Sequence, residues 1–183
     1  LAEAVTREAR SLRSRGAQAV VVLAHAGGRC RSFEAPDDLS VCDAGEEVFA
    51  LAEALAPGLV DVLVAGHTHQ AIAHRVHGIA VVESYANGRA FGRVDLTVHP
   101  SRGVVGARIF PPRDLCDAGT NPCVASAYEG APVREDGAVA AAVAPAVEQA
   151  RALRERPLGV TVRGLLPTHY SREAALPNLV ASL

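Results

Sequence analysis

Three histidines follow two apolar segments of the chain, and their spacing suggests a metal site. His25 comes directly after AVVVLA, and His67 and His69 come directly after VDVLVAG. In an extended backbone alternate residues project to the same side, so His67 and His69 are predicted to point together while Thr68 points away. Their Cα atoms would lie roughly 6.5 Å apart at the usual strand rise. That spacing suits two metal ions roughly 3.5–4 Å apart, with one imidazole on each.

The ions that such a site would accept are divalent metals such as Zn, Mn, Fe or Co, because imidazole is a good ligand for all of them.

Glycines lie beside the histidines, with Gly66 before His67 and with Gly27 and Gly28 after His25. We expect these glycines to let the backbone turn sharply at the strand ends. The alternative is that the histidines are unrelated and make ordinary hydrogen bonds in loops, since H-x-H pairs also occur by chance.

The elements that must position these histidines form a predicted βαβ unit. Short apolar runs rich in valine predict buried strands over 19–25 and 60–65. Between them EEVFALAEALA predicts a helix over roughly 45–56, which Pro57 and Gly58 end. The two strands then run parallel with a right-handed crossover. Their carboxyl ends, and with them the histidines, meet at one edge of the sheet, where open α/β sheets place their sites.

The remaining segments predict an α/β chain with additional α+β elements. An amphipathic helix is predicted over 2–15. The strands of a shorter antiparallel meander, with a turn at Asn87 and Gly88, are predicted over 79–84, 91–98 and 104–110. After an irregular connection over 111–136, the pattern predicts a helix over 137–155, a strand over 158–166 and a helix over 171–183.

The four cysteines lie in two local pairs within polar stretches that contain glycine and aspartate. The spacing of Cys30 and Cys42, and that of Cys116 and Cys123, does not match the C-x2-C pairs of structural zinc sites. We therefore expect two structural disulfides, one within each pair, and with them a periplasmic or extracellular location. Four reduced thiols in a cytosolic protein are the alternative, because connectivity cannot be deduced from sequence.

Composition excludes several classes of protein. Of the 183 residues 49% are hydrophobic, and the formal net charge is -2. This apolar content excludes intrinsic disorder over most of the chain. Charges of both signs are interspersed without the basic footprint that phosphate backbones require, so we expect no nucleic-acid partner. No apolar run reaches the roughly 18 residues of a membrane span.

Three stretches of the chain, AVVVLAHAGG, VDVLVAGHTHQ and ESYANGRAFGRVDL, resemble blocks of a known family. In the same order they are similar to blocks of the calcineurin-like metallophosphoesterases, specifically of the bacterial 5'-nucleotidase family. That family has a histidine after an apolar strand, then a G-H-[TS]-[HNQ] block, then an N-G-x-x-x-G-R-[LV]-[DE]-L strand pair. VRGLLPTHYSREAALPNLVASL is similar to the opening of the family's second, substrate-recognition domain, so the resemblance covers almost the whole chain.

The resemblance implies a centre with two divalent metal ions. His25 and His67 match two ligands of one ion, and His69 matches a ligand of the other. It implies that a water held at the metals attacks the phosphorus of a phosphate ester, with a nucleotide as the expected substrate, while both ions neutralise charge on the phosphoryl oxygens. Asn87 matches a loop close to the family's site, and Arg89 follows it; both are candidate substrate-binding residues.

The resemblance also implies a domain organisation and a longer protein. Residues 1–135 would be the C-terminal part of a layered metallophosphatase domain, 136–156 a linker helix, and 157–183 the start of a 5'-nucleotidase C-terminal domain. The family's D-x-H block, bridging aspartate and N-H-[DE] block, which supply the other ligands and the histidine that protonates the leaving group, are not in this chain. We therefore expect no catalytic residue here and no activity of the chain alone. The alternative is a binding or scaffolding relative without a complete metal centre.

Other polar residues are predicted to have structural roles or none. His74 and His77 lie in AIAHRVHGI, which alternates like a strand, and are predicted to be surface or hairpin residues. Asp61 precedes an apolar strand and is predicted to be a strand-start residue. Arg89 and Arg93 could contact phosphate, but arginines beside turns are usually solvated, which is the expectation for both.

Overall fold

The chain has mixed α and β structure. A computed structural model describes residues 1–116, 127–157, 159, 164–169 and 172–181. The chain divides into two compact units, Leu1–Val133 and Arg134–Leu183. No helix in the described parts of the chain is long and apolar enough to cross a membrane.

A four-stranded sheet organises the first unit. Its strands are β1 (Val21–Leu23), β2 (Val62–Val64), β3 (Ala71–Val76) and β4 (Ile79–Ser84). They lie in the order β1-β2-β4-β3; β1, β2 and β4 run parallel, and β3 runs antiparallel to β4. The carboxyl ends of the three parallel strands therefore lie together, at what we call the carboxyl edge.

Helix α1 (Ala2–Ser14) matches the amphipathic helix predicted over 2–15. Near its end, Arg13 donates a hydrogen bond to Asp61 Oδ2 at 2.6 Å. The same carboxylate oxygen accepts the Val20 N–H at 2.7 Å. Asp61 thus ties α1 to the starts of β1 and β2, which confirms the structural role predicted for it.

Replacing Asp61 with asparagine should destabilise the first unit by about 2 kcal/mol, because it removes the charge partner of the largely buried Arg13. The free energy of urea unfolding measures this effect. The matched control is Asp43→Asn, because Asp43 pairs with Arg31 at 2.8 Å in an exposed position and such pairs contribute about 0–1 kcal/mol. Equal losses in the two variants would contradict the role of Asp61.

The segment from β1 to β2 forms the predicted βαβ unit. Helix α2 (Glu47–Glu53) connects the two parallel strands and buries Val48 and Leu51. These side chains join the core of the first unit, in which Leu63 and Ile72 have no exposed surface. Each strand spans three residues and is shorter than the apolar run that predicts it.

A separate sheet follows, formed by the antiparallel strands β5 (Ala90–His99) and β6 (Gly103–Asp114). The prediction of one meander is therefore wrong, because β4 pairs with β2 and β3 instead of β5. The start of the irregular connection predicted over 111–136 is also wrong, since β6 includes Pro111 and Pro112. A strand paired on one side only has a free edge where proline, which lacks an N–H, costs no ladder hydrogen bond.

The second unit contains helices α3 (Gly137–Glu155) and α4 (Ala175–Ala181). Helix α3 has the predicted bounds, and the Asp136 carboxylate caps it by accepting two main-chain N–H groups at 2.9 and 3.0 Å. Pro145 lies within this helix. Most of the strand predicted over 158–166 lies outside the described residues. The division of this part of the chain into a linker and a further domain stays a prediction.

Candidate functional site

Two of the three predicted metal ligands meet at the carboxyl edge. His25 follows β1 and His67 follows β2, and His67 Nδ1 lies 3.0 Å from His25 Nε2. The ring centroids are 4.7 Å apart, with 60° between the ring planes. A zinc–nitrogen bond of about 2.0–2.1 Å places two imidazole nitrogens on one tetrahedral ion about 3.3 Å apart. The observed 3.0 Å is the length of a hydrogen bond between the two rings, and it is also close to the spacing of two ligands of a single ion. Both side chains are exposed to solvent.

His69 lies in the same loop as His67 and is also exposed. Within the described part of the chain, the ring nitrogens of the three histidines do not form a group whose members all lie within 4.8 Å of one another. The structure thus brings His25 and His67 together but does not add His69 to that pair. Its assignment to a second ion stays a prediction.

The loop that carries the histidines is not extended, and this part of the sequence prediction is wrong. His67 has φ 86° and His69 has φ 57°, both in the left-handed region. Non-glycine residues seldom adopt it. The chain reverses direction here, because it must leave the parallel strand β2 and enter the antiparallel strand β3 within a few residues. The argument from alternating side chains, and the spacing derived from it, therefore do not apply.

The segment after β4 shows the same backbone strain. Tyr85 has φ 60° and Asn87 has φ 57°. Because β4 runs parallel to β1 and β2, this segment also lies at the carboxyl edge. Among the described residues, four of the six non-glycine residues with positive φ follow β2 or β4 there. Such conformations cost about 1–3 kcal/mol each and concentrate at functional sites.

The two candidate substrate-binding residues lie in this strained segment or directly after it. Asn87 and Arg89 are both exposed. The Arg89 guanidinium lies over the Tyr85 ring, 4.0 Å from its centroid, and its Nε lies 3.3 Å from an Asp114 carboxylate oxygen. Part of its charge is therefore already paired. Their role in binding substrate stays a prediction.

Thr68, between the two histidines, points into the protein and holds the loop in place. Its hydroxyl lies 2.9 Å from both carboxylate oxygens of Glu83 and 2.9 Å from the Gly28 carbonyl oxygen. Glu83 is 2% exposed and also accepts the Gly28 N–H at 3.2 Å. This buried group links β4, the loop after β1 and the loop after β2. Sequence reasoning missed it, although a glutamate inside the apolar strand IAVVES was a visible signal.

Gly27 fixes the distance between the same two loops. A Cβ atom at this position would lie 2.3 Å from the Gly66 carbonyl oxygen and 2.6 Å from Thr68 Oγ1. Gly27, Gly28 and Gly66 do not have positive φ, so the predicted role of these glycines in sharp turning is wrong. At Gly27 the missing side chain instead permits close contact between the loops that carry His25 and His67.

The predicted disulfide between Cys30 and Cys42 is present. Cys116 is also disulfide-bonded, whereas Cys123 lies outside the described residues. Beside the first disulfide, His74 has no exposed surface, so the surface alternative predicted for it is wrong. The hairpin alternative is confirmed, because His74 lies in the antiparallel β3–β4 pair opposite Val81. It lies on β3, whose two faces are both covered. His77 is exposed in the turn between β3 and β4, as predicted.

Arg93 is not a freely solvated arginine. Its guanidinium contacts an Asp95 carboxylate oxygen at 2.7 Å, the Tyr128 hydroxyl at 2.8 Å and the Glu129 carboxylate. These partners, Asp95 first, raise the pKa of Arg93 further above its usual range. Arg93 therefore joins the β5–β6 hairpin to the segment around residue 128 and is not available to bind phosphate.

Comparisons with known proteins give no assignment: no protein-family model matches the chain, and no curated protein matches it. The functional argument therefore depends on the arrangement at the carboxyl edge. There the structure places a pair of facing imidazoles, a strained and exposed histidine loop, and a buried Thr68–Glu83 contact that supports this loop.

Proposed function

We propose that this chain is part of a metal-dependent phosphoesterase that hydrolyses nucleotides or related phosphate esters. The observation that carries the proposal is the 3.0 Å approach of His67 Nδ1 to His25 Nε2 at the carboxyl edge. Two exposed imidazoles at this spacing fit one divalent metal ion. The sequence resemblance to the bacterial 5'-nucleotidase family supports the same chemistry. The proposed fold is a layered metallophosphatase domain that contains the four-stranded sheet.

In this proposal, His25 and His67 hold one divalent ion and His69 holds a second, with Zn, Mn, Fe or Co as the candidate metals. Bound ions of this kind supply an activated water and neutralise charge on phosphoryl oxygens. The chain's own contribution is to hold the imidazoles in position. Thr68 does so from the buried side of the loop, through its hydrogen bond to Glu83.

The proposed activity requires groups that the chain does not supply. The remaining metal ligands and the histidine that protonates the leaving group would come from other segments of a longer polypeptide. Within the chain, 1–135 would belong to the metallophosphatase domain, 136–156 to a linker helix and 157–183 to a substrate-binding domain. Asn87 at the carboxyl edge is exposed and would contact the phosphate ester there.

A periplasmic or extracellular location fits this proposal. The Cys30–Cys42 disulfide supports it, because disulfides persist in oxidising compartments and are rare in the cytosol of most organisms. A count of free thiols on the native, unreduced protein tests the location. We expect no reactive thiol, and four reactive thiols would support the cytosolic alternative.

His67→Ala should weaken binding of one divalent ion to the unreduced chain. Removing a group that only hydrogen-bonds to a ligand costs about 10–100-fold in metal affinity, so loss of the ligand itself should cost at least about 100-fold. Isothermal titration with Zn²⁺ or Co²⁺ measures the affinity of each variant. The control is His77→Asn, which removes an exposed histidine away from the site and should leave the affinity unchanged.

The same variant tests the proposed activity in a longer polypeptide that contains this chain. With a nucleoside monophosphate as substrate and a divalent metal present, His67→Ala should lose hydrolysis. An unchanged rate of phosphate release would contradict the assignment. Unchanged metal affinity together with lost hydrolysis would remove His67 from the ligand set but leave it in the site.

A binding or scaffolding relative is the second candidate. The observation that favours it is that, among the described residues, no carboxylate or third histidine joins His25 and His67 within 4.8 Å. Two ligands alone hold a divalent ion weakly. Metal analysis of the longer polypeptide distinguishes the candidates: absence of bound Zn, Mn, Fe and Co would favour the binding module.

A further inference from the structure

Cys30, Cys42 and His74 form a second, buried group of metal-ligating side chains. Each offers one ligand atom, and the three atoms all lie within 4.8 Å of one another. The residues are 6%, 9% and 0% exposed, respectively. Among the described residues, no other group of three or more such side chains lies this close together. In the oxidised protein the two sulfur atoms are joined and therefore do not act as thiolate ligands.

His74 has the properties of an unused ligand. Its Nε2 is buried and has no hydrogen-bond partner among the described residues. Buried polar atoms are almost always hydrogen-bonded, so an exception calls for an explanation. A ligand bound at this ring would be such an explanation, because the ring lies beside the two sulfur atoms.

The main chain holds the two cysteines together independently of the disulfide. Cys30 and Cys42 face each other in an antiparallel bridge. The flanking residues close that bridge with two hydrogen bonds, from Arg31 N to Val41 O and from Asp43 N to Arg29 O, each 2.9 Å long. Residues in such a non-hydrogen-bonded pair have closely spaced side chains.

The bridge is also attached to the strand that carries His74. The Cys30 N–H donates to the Ala71 carbonyl oxygen of β3 at 3.1 Å. The Arg75 N–H donates to the Pro36 carbonyl oxygen at 2.7 Å, and the Arg75 side chain pairs with Asp37 at 3.1 Å. These contacts do not involve sulfur. Reduction would therefore leave the three ligand groups near one another.

We propose that reduction of the Cys30–Cys42 disulfide converts this group into a binding site for a single thiophilic divalent metal ion, held by two thiolates and the His74 imidazole. A dithiol reductant transfers two electrons and two protons to the disulfide, and is itself oxidised to a disulfide. Both thiols then lose their protons when the metal binds, and no other bond changes. Two sulfur ligands with one nitrogen ligand favour Zn²⁺ and related soft ions.

This site differs from the His25–His67 pair in chemistry and in redox dependence. The histidine pair offers nitrogen ligands only and is present in the oxidised protein. The buried group gains its sulfur ligands only after reduction. A thiolate-to-metal charge-transfer band therefore reports metal binding at the buried group alone. A negative result at one of the two sites does not contradict the assignment of the other.

Cobalt titration of the reduced chain tests the proposal. The parent for the experiment is Cys116→Ser/Cys123→Ser, in which Cys30 and Cys42 are the remaining cysteines. After reduction and removal of the reductant without oxygen, Co²⁺ should produce a thiolate-to-cobalt charge-transfer band at one ion per chain. Zn²⁺ should displace the cobalt and abolish the band. The unreduced parent should show no such band.

Two variants distinguish the proposed three-ligand site from binding of the metal by the two thiols alone. His74→Gln retains both cysteines and should bind the ion at least about 100-fold more weakly, as expected for loss of a ligand. Cys30→Ser/Cys42→Ser in the same parent should lose the charge-transfer band. Circular dichroism before and after metal addition checks that each protein is folded.

Three results would overturn the proposal. The first is a reduced, folded parent with no charge-transfer band at saturating Co²⁺. The second is unchanged cobalt affinity in a folded His74→Gln variant. The third is a parent that unfolds on reduction and does not refold when Zn²⁺ is added, because a site of this kind would couple metal binding to folding.

Discussion

Alanine at position 27 is expected to destabilise the first unit by about 3 kcal/mol, at the upper end of the usual cost of overpacking. The new methyl group would lie 2.3 Å from the Gly66 carbonyl oxygen and 2.6 Å from Thr68 Oγ1. One of these atoms belongs to the main chain, so no side-chain rotation removes the clash. The loops after β1 and β2 must therefore move apart.

The same movement should affect the candidate metal site. His25 follows β1 and His67 follows β2, so separation of their loops lengthens the 3.0 Å approach of the two imidazoles. Gly27→Ala should therefore weaken binding of Zn²⁺ to the unreduced chain as well as lower stability. Urea unfolding and isothermal titration measure the two effects on the same preparation.

Gly66→Ala is the matched control for this variant. It adds the same methyl group in the neighbouring loop, where the nearest atom, the Ala24 carbonyl oxygen, is 4.0 Å away. We expect a change within about 0.5 kcal/mol, as for other substitutions that meet no neighbour. If the two alanine variants unfold at the same urea concentration, the contact between the loops does not determine stability.

Thr68→Val should cost about 2–3 kcal/mol, because it deprives the buried carboxyl group of Glu83 of a hydrogen bond. Valine has nearly the same shape as threonine, so packing is preserved while the hydroxyl is lost. Glu83, 2% exposed, then retains the Gly28 N–H at 3.2 Å as its one described hydrogen-bond donor. The loop that carries His67 and His69 also loses the hydrogen bond that attaches it to β4.

A double-mutant cycle with Glu83→Gln measures the contact itself. If Thr68 and Glu83 act together, the double variant should lose less stability than the sum of the two single variants. Thr97→Val is the control, because Thr97 is exposed on β5 and its loss should change stability by less than about 0.5 kcal/mol. Strictly additive losses would show that the hydroxyl and the carboxylate are not coupled.

Local sequence patterns predict those elements that depend on interactions between residues close together in the chain. Helix α3 has the predicted bounds because its capping aspartate and its alanine-rich sequence act within a few residues of one another. The βαβ unit was predictable because two apolar runs and the amphipathic segment between them permit one parallel arrangement. The Cys30–Cys42 disulfide was predictable from local pairing, since its partners are 12 residues apart.

Two predictions were wrong because they used local sequence alone. One assumed an extended backbone at His67 and His69, and the other inferred the exposure of His74 from the alternation within its own strand. The loop of His67 and His69 is left-handed and not extended, because it reverses the chain between a parallel and an antiparallel strand. From the alternation in AIAHRVHGI, His74 is predicted to be a surface or hairpin residue; it lies in the β3–β4 hairpin but is fully buried. Burial depends on what packs against a strand, and the segments that cover β3 come from elsewhere in the chain.

The sequence by itself determined the order of the main elements and the placement of His25, His67 and His69 directly after parallel strands. Those features depend on the types and spacing of neighbouring residues. The tertiary structure alone decided that His25 meets His67, that Thr68 is anchored to a buried Glu83, and that His74 lies against a disulfide. Each of these contacts joins residues far apart in the chain, because only the packed sheet and its loops bring them within bonding distance.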